Sequence, residues 1–246
     1  MKLFIANIIL LSLVTSQSPD SLFQLGNSYY ENAQYETAVS IYEKLEKDYS
    51  HEYLYLNLGN SYYRMGELGN AVWAYEKASS IAPRNQDIAY NLNFVRSQVK
   101  DRIIPPDNLY IYSLYSAFLD KTTILDLTIL GGLIFLIISI IYLINSYFIV
   151  HEKIYSSLKT TLILILVFLV WVSTDKYWKL SDINEGIVIS TSVDVRSAPI
   201  QRGENVVFRV HEGTKAQITA VESGWYEIIL LDGKKGWLNT QDMRKL

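Results

Sequence analysis

Leu25-Gly26-Asn27-Ser28-Tyr29-Tyr30 and Leu58-Gly59-Asn60-Ser61-Tyr62-Tyr63 are the same hexapeptide, LGNSYY, written twice at an offset of 33 residues. A fixed period of this length marks a repeat architecture, in which one supersecondary unit stacks on the next. The match runs on past the hexapeptide: Ala38 and Tyr42 of the first copy align with Ala71 and Tyr75 of the second, and Ala78 and Pro83 close the second copy. The physical reading is a pair of helices per copy. Leu and Gly on the first helix allow close helix contact, small Ala residues on the second admit a neighbour, and the aromatics fill the gap. From Gln86 to Val99, Ile88, Leu92 and Val95 recur at helical spacing without the rest of a repeat, as a capping helix would.

The pattern resembles the tetratricopeptide repeat, with a domain over residues 17–102, copies at 19–51 and 52–85, and the capping helix at 86–100. The resemblance implies a groove lined by first-helix positions, which fall here on Phe23, Asn27, Tyr30, Leu56, Asn60, Tyr63 and Tyr90. Aromatic and amide side chains suit a bound peptide, Asn pairing with its backbone and Tyr covering its apolar side chains. The same tyrosines also fit a second role, packing between helices. The family's version that grips a C-terminal carboxylate uses Lys and Arg in this groove. None stands at the corresponding positions, so no carboxylate clamp is implied.

Three apolar segments address a membrane. In MKLFIANIILLSLVTSQS, Lys2 precedes an apolar run from Leu3 to Val14 and then small polar residues, the order of a secretory signal, assigned to residues 1–16. Its run is too short to cross a hydrocarbon core that takes about 20 residues. Leu127 to Val150 contains no charged residue, and a first transmembrane helix is expected over 124–150. A second is expected over 159–178, with Lys159 to snorkel and Tyr155, Trp171, Tyr177 and Trp178 as interfacial aromatics. A short loop at 151–158 makes the two a hairpin, so residues 17–123 and 175–246 lie on one side. The flanking charges are nearly balanced, and the export signal sets that side as non-cytoplasmic.

Residues 103–123, IIPPDNLYIYSLYSAFLDKTT, join the repeats to the first span, and Pro105-Pro106 stops the preceding helix. The stretch admits two readings, a simple linker or a segment lying in the membrane interface.

After the second span the pattern changes to short β-branched runs separated by Gly and polar turns, which predict five or six strands in a small barrel over 185–246. Val193-Asp194-Val195-Arg196-Ser197-Ala198-Pro199, Glu212-Gly213-Thr214, Gly224-Trp225-Tyr226 and Asp232-Gly233-Lys234-Lys235-Gly236-Trp237 resemble the bacterial SH3 domain. Ala198 stands where that family usually has Gly. Asp232-Gly233 predicts a hairpin turn and Gly213 a positive φ. Trp225 and Trp237 fit the core of so small a domain, with ligand contact as the second reading. Bacterial relatives often bind cell-wall peptides or act as adaptors, so the resemblance implies one or the other.

The fold class is therefore a multidomain membrane protein: an all-α repeat, two transmembrane helices and a small all-β SH3-like barrel. Charged residues make up 19% of the chain and the net charge is −3, which gives no pull toward nucleic acid. Cysteine is absent, excluding disulfides and thiolate chemistry. His51, His151 and His211 stand far apart, with no partner at metal-ligand spacing, so neither a metal nor another cofactor is expected. Glu43, Glu46 and Asp48 read as charges on a solvated helix face. No nucleophile-elbow, zinc-protease or nucleotide-loop motif occurs, and Gly131-Gly132 lies in an apolar span. No catalytic residue is assigned and the chain is read as non-enzymatic.

The order of segments, signal, repeats, hairpin and terminal β domain, resembles the BatE family of the aerotolerance (Bat) operon. That resemblance implies a cell-envelope scaffold in the bacterial inner membrane, both soluble domains periplasmic, beside membrane proteins with von Willebrand A domains and a MoxR-type ATPase. The competing expectation is a cell-wall attachment factor whose β domain binds peptidoglycan peptides.

Overall fold

The computed structural model describes residues 18–103, 109–148, 152–181, 184–201 and 205–246. The expected signal at 1–16 and the Pro105-Pro106 stop lie outside the described residues. Eight helices are described: α1 (Pro19–Glu31), α2 (Tyr35–Glu46), α3 (Glu52–Met65), α4 (Leu68–Ile81), α5 (Gln86–Gln98), α6 (Tyr110–Lys121), α7 (Ile124–Tyr147) and α8 (Glu152–Ser181). Seven strands follow: β1 (Glu185–Val188), β2 (Ser192–Arg196), β3 (Val206–His211), β4 (Lys215–Glu222), β5 (Trp225–Ile229), β6 (Lys235–Asn239) and β7 (Met243–Lys245).

The two copies of LGNSYY are the middles of α1 and α3, and their glycines explain the pairing with α2 and α4. A Cβ added at Gly26 would stand 2.5 Å from the Tyr42 ring, and one at Gly59 would stand 2.7 Å from the Tyr75 ring. Each glycine is the hole into which the tyrosine of the following helix packs. Tyr42, Leu58, Ala71, Ala74, Tyr75 and Ala78 are buried in one core with Ile88, Leu92 and Val95 of α5. The small residues of α4 face both neighbours, which is why this helix is the most deeply enclosed. The capping helix ends at Gln98, two residues short of the expected 100, and Val99 turns the chain to extended backbone.

α7 and α8 are long and apolar enough to cross a membrane and are almost wholly exposed along their length. At about 1.5 Å per residue they reach about 36 and 45 Å, against a hydrocarbon thickness of about 30 Å. A capping box at Thr123 and Asp126 starts α7. α8 begins at Glu152 and runs to Ser181, longer than the expected 159–178, and takes up most of the expected loop. The segment before α7 departs from a plain linker, since Tyr110–Lys121 forms helix α6.

The strands form one antiparallel sheet in the order β3-β2-β6-β5-β4-β1-β7, seven where five or six were expected. Val188, Val193, Val195, Val210, Ala216, Ile218, Ile228, Leu238 and Met243 bring all seven strands into one buried cluster. A single sheet whose every strand faces the same core has to curl around it. Gly213 and Gly233 have φ of 83° and 86°, as the turn chemistry requires, and Gly233 N–H donates to Leu230 O at 2.9 Å.

This sheet packs on the repeats. Ile187 of β1 belongs to the helical core. The Trp73 indole donates to Lys245 O at 2.6 Å, and the Arg244 guanidinium lies 3.6 Å from the Trp73 ring centre. Arg244 also pairs with Glu43 and Glu46 and donates to the Tyr62 hydroxyl at 2.9 Å. Past α5, Asp101 accepts from His211 N–H at 2.6 Å and from Thr214 Oγ1 at 2.8 Å. Glu43 and Glu46 are thus docking residues rather than a solvated face. Because the repeats and the sheet touch directly, the α7–α8 hairpin between them leaves and returns on the same side.

Candidate functional site

The groove is built from α1, α3 and α5, and its shape is set by two equivalent amide links. Asn27 Oδ1 accepts from the Tyr42 hydroxyl at 2.7 Å and from Asn57 Nδ2 at 2.9 Å. One repeat further on, Asn60 Oδ1 accepts from the Tyr75 hydroxyl at 2.7 Å and from Asn91 Nδ2 at 3.2 Å. Each link joins the first helix of a repeat to its own second helix and to the next first helix. Burial pushes the Tyr42 and Tyr75 phenols above their ordinary range, so both remain protonated donors.

A cleft of about 280 Å³ opens over the second link, lined by Tyr30, Asn60, Tyr63, Arg64, Tyr75, Tyr90, Asn91, Phe94 and Val95. Four of the seven expected groove residues meet there: Tyr30, Asn60, Tyr63 and Tyr90. Tyr90 and Phe94 stack with ring centres 6.5 Å apart, and Tyr63 meets Phe94 edge-on at 5.6 Å. Both carboxamide oxygens, of Asn27 and of Asn60, already accept two hydrogen bonds within the chain, so a peptide backbone would meet these residues through their Nδ2 groups. Phe23 and Leu56 pack against the helical core instead, Phe23 with its ring 6.0 Å from Tyr42.

Arg64 and Phe94 are groove residues that the repeat pattern does not mark. Phe94 lies one turn beyond Tyr90 on α5, and that i, i+4 spacing was the available signal. Arg64 projects from the last turn of α3 and is exposed. The Tyr30 hydroxyl beside it pushes the guanidinium pKa up, so the cleft carries a fixed positive charge among phenols. A carboxylate clamp built from several cations is still not formed, but one cationic contact is present.

A larger cleft of about 800 Å³ lies where the repeats, α6, the outer end of α8 and the sheet meet. Most of its charged groups are engaged within the chain: Arg96 pairs with Glu76, Lys215 lies 2.8 Å from Glu185, and Lys176 donates to the Leu119 carbonyl at 2.9 Å. It reads as a junction between parts and offers a ligand less than the aromatic cleft does.

On the β domain, strand alternation decides the two tryptophans. Tyr226 and Ile228 of β5 oppose Leu238 and Gly236 of β6 on the inner face, whereas Trp225 opposes Asn239 and Trp237 opposes Glu227 on the outer face. Trp225 and Trp237 are half-buried and outside the buried cluster, so the core reading of this pair is corrected.

Residues 20–51 and 53–85 each match a tetratricopeptide-repeat family profile, which are the two helical hairpins α1–α2 and α3–α4. No curated protein matches the chain significantly.

Proposed function

We propose that this chain is a non-catalytic, membrane-anchored scaffold that captures an extended segment of a partner protein in the α1–α3–α5 groove. The observation that carries this reading is the cleft itself. Its floor is fixed by the Asn60 link, while Tyr30, Tyr63, Tyr90 and Phe94 present unsaturated aromatic surface around it. Aromatic anchors of this kind carry much of the energy of peptide interfaces, and Arg64 adds a preference for a segment bearing a carboxylate. The tetratricopeptide-repeat matches support a protein partner in general. The resemblance to the BatE family extends the proposal to a Bat-type complex with von Willebrand A membrane proteins and a MoxR-type ATPase. The proposal then puts the hairpin in the inner membrane, with both soluble parts periplasmic. The direct packing of repeats on sheet supports the same-side arrangement.

The test is a titration of the purified full chain in detergent with peptides from such partners, read by fluorescence anisotropy. Tyr63→Ala and Tyr90→Ala are expected to weaken binding at least tenfold, and Arg64→Gln to weaken only acidic peptides and to flatten the salt dependence. Unchanged binding in all three variants sinks the groove assignment.

The outer sheet face favours a second reading. Trp225 and Trp237, with the Glu227–Lys235 ion pair beside them, form a half-buried aromatic and charged surface on an SH3-like domain. A cell-wall attachment role predicts retention of the full chain on peptidoglycan sacculi that is lost in Trp225→Ala/Trp237→Ala.

A further inference from the structure

Helix α6 has three distinct faces. Tyr115 and Leu119 pack on the spans: the Tyr115 ring stacks on Trp171 at 5.7 Å, its hydroxyl donates to Asp175 at 2.7 Å, and Leu119 is buried with Leu127, Leu169 and Val172. Tyr112 and Ser116 turn toward the junction cleft. At 100° per residue, Ser113 and the cleft-lining Asp120 extend that second face as a polar edge, and Tyr110, Ile111, Leu114 and Phe118 form a third, apolar stripe with Lys121 at its C-terminal end. Those four residues are 48–80% exposed, and among the described residues none of them joins a buried cluster.

We infer that α6 is a membrane-surface element whose Tyr110–Ile111–Leu114–Phe118 stripe is covered by the headgroup and upper acyl region of the bilayer that α7 and α8 enter. This inference rests on the reading of α7 and α8 as spans. The occupant follows from continuity. The stripe is joined through only Thr122 and Thr123 to the exposed Ile124 and Leu125 that begin α7, and Tyr115 of the same helix stacks on Trp171, which is exposed like its neighbour Phe168. Its level follows from its partners, since Tyr115 contacts the turn of α8 from Trp171 to Lys179, where the apolar run gives way to Asp175, Lys176 and Lys179. That is the depth at which amphipathic helices bury one face.

A second tie lies at the same level. Arg84, in the turn after α4, donates to Asp126 at 2.6 Å, and Asp126 is the carboxylate that caps α7. The repeat domain is thus held against the bilayer at α6 and at the head of α7, which fixes the height at which its groove is presented. A flexible linker would leave that height free.

The absence of cysteine makes the test direct. Single-cysteine variants Leu114→Cys, Phe118→Cys, Ser113→Cys and Ile140→Cys of the full chain are spin-labelled and reconstituted in phosphatidylglycerol–phosphatidylethanolamine vesicles. Collision with oxygen and with a polar nickel chelate is measured by electron paramagnetic resonance. The expected result is oxygen-favoured labels at 114 and 118, a nickel-accessible label at 113 and the deepest label at 140. A deep label at 140 with nickel-accessible labels at 114 and 118 overturns the inference and leaves the spans standing. A nickel-accessible label at 140 overturns the spans themselves. Labels at 114 and 118 that reach neither reagent, or that broaden by dipolar coupling between copies, show that protein and not lipid covers the stripe, and also overturn the inference.

Discussion

Asn60→Ala separates a residue that shapes the groove from one that merely contacts the ligand. The carboxamide oxygen accepts from Tyr75 and Asn91, and Tyr75 is only 2% exposed. Losing the acceptor leaves a buried hydroxyl unpaired, which costs about 1–3 kcal/mol. The cleft beside it admits water into the vacated space, so the lower part of that range, about 1–2 kcal/mol, applies. Hydrogen exchange read by mass spectrometry on the full chain reports this locally: one to two kcal/mol is a factor of about 5–30 in the open population. Peptides from α3, α4 and α5 are therefore expected to exchange about 5–30 times faster, while the sheet is unchanged. In Asn60→Ala/Tyr75→Phe the hydroxyl is gone as well, and part of the loss is recovered. Wild-type exchange in Asn60→Ala, or a double variant whose loss equals the sum of the single ones, would refute the amide link.

Arg244→Ala leaves Glu46 buried without its cation and uncovers Trp73. The loss is expected near the low end of the range for broken buried pairs, about 3 kcal/mol, because Arg244 keeps 22% of its side chain exposed; faster exchange in α4 and β7 together checks it. Asp101 titrates with a sign that can be worked out. Burial alone would raise its pKa, but hydrogen bonds from Thr214 and His211 outweigh it and hold the carboxyl below its ordinary value. Its contribution is thus complete above the unfolded-state value of about 3.9 and is lost as pH falls toward the lower folded value. Contact between Val99–Ile103 and the β3–β4 turn should loosen below about pH 4, and Asp101→Asn should remove that acid sensitivity. Trp237→Ala should cost about 1 kcal/mol, whereas Leu238→Ala, inward-facing and fully buried, should cost about 2–5 kcal/mol; thermal melts of the two variants rank them. Reporter fusions near residue 109 and at Leu246 should give the same signal and a fusion at Lys153 the opposite one.

The repeats were legible because their determinants are local and recur: Gly26 and Gly59 are holes for tyrosines that lie at the same offset in both copies. The apolar hairpin was legible from length and charge alone. The amide links were not, because Asn57 and Asn91 come from the neighbouring helix and fall outside the hexapeptide. Without them the Asn27 and Asn60 oxygens read as free groove acceptors. Glu43 and Glu46 looked solvated because their partner Arg244 stands about 200 residues later in the chain. The tryptophans show a different limit. Size and turn signals place Trp225 and Trp237 in the β domain, but only strand register decides which face they occupy, and a shift of one residue reverses it.

These contacts also cover one surface of the repeats and leave another open. A helical repeat has two faces. Here the α4 side is taken by the sheet: a Cβ added at Gly69 would stand 2.6 Å from Val188 O, and Trp73 is closed by Arg244 and Lys245. That docking is charged and aromatic in detail, and it uses Gly69 where two backbones meet and Gly213 where the Val99 side chain packs, which marks it as a fixed joint. The tie from Arg84 to Asp126 of α7 occupies the turn after α4. Among the described residues the α1–α3–α5 side carries no such cover, and Tyr90 there is 71% exposed and stacked on Phe94. An aromatic stack in water without a covering partner is a surface with apolar area still to bury. The joint on one face and the tie at one end hold the open face steady, so a segment binding there meets a groove already ordered and loses less to its ordering than to a mobile one.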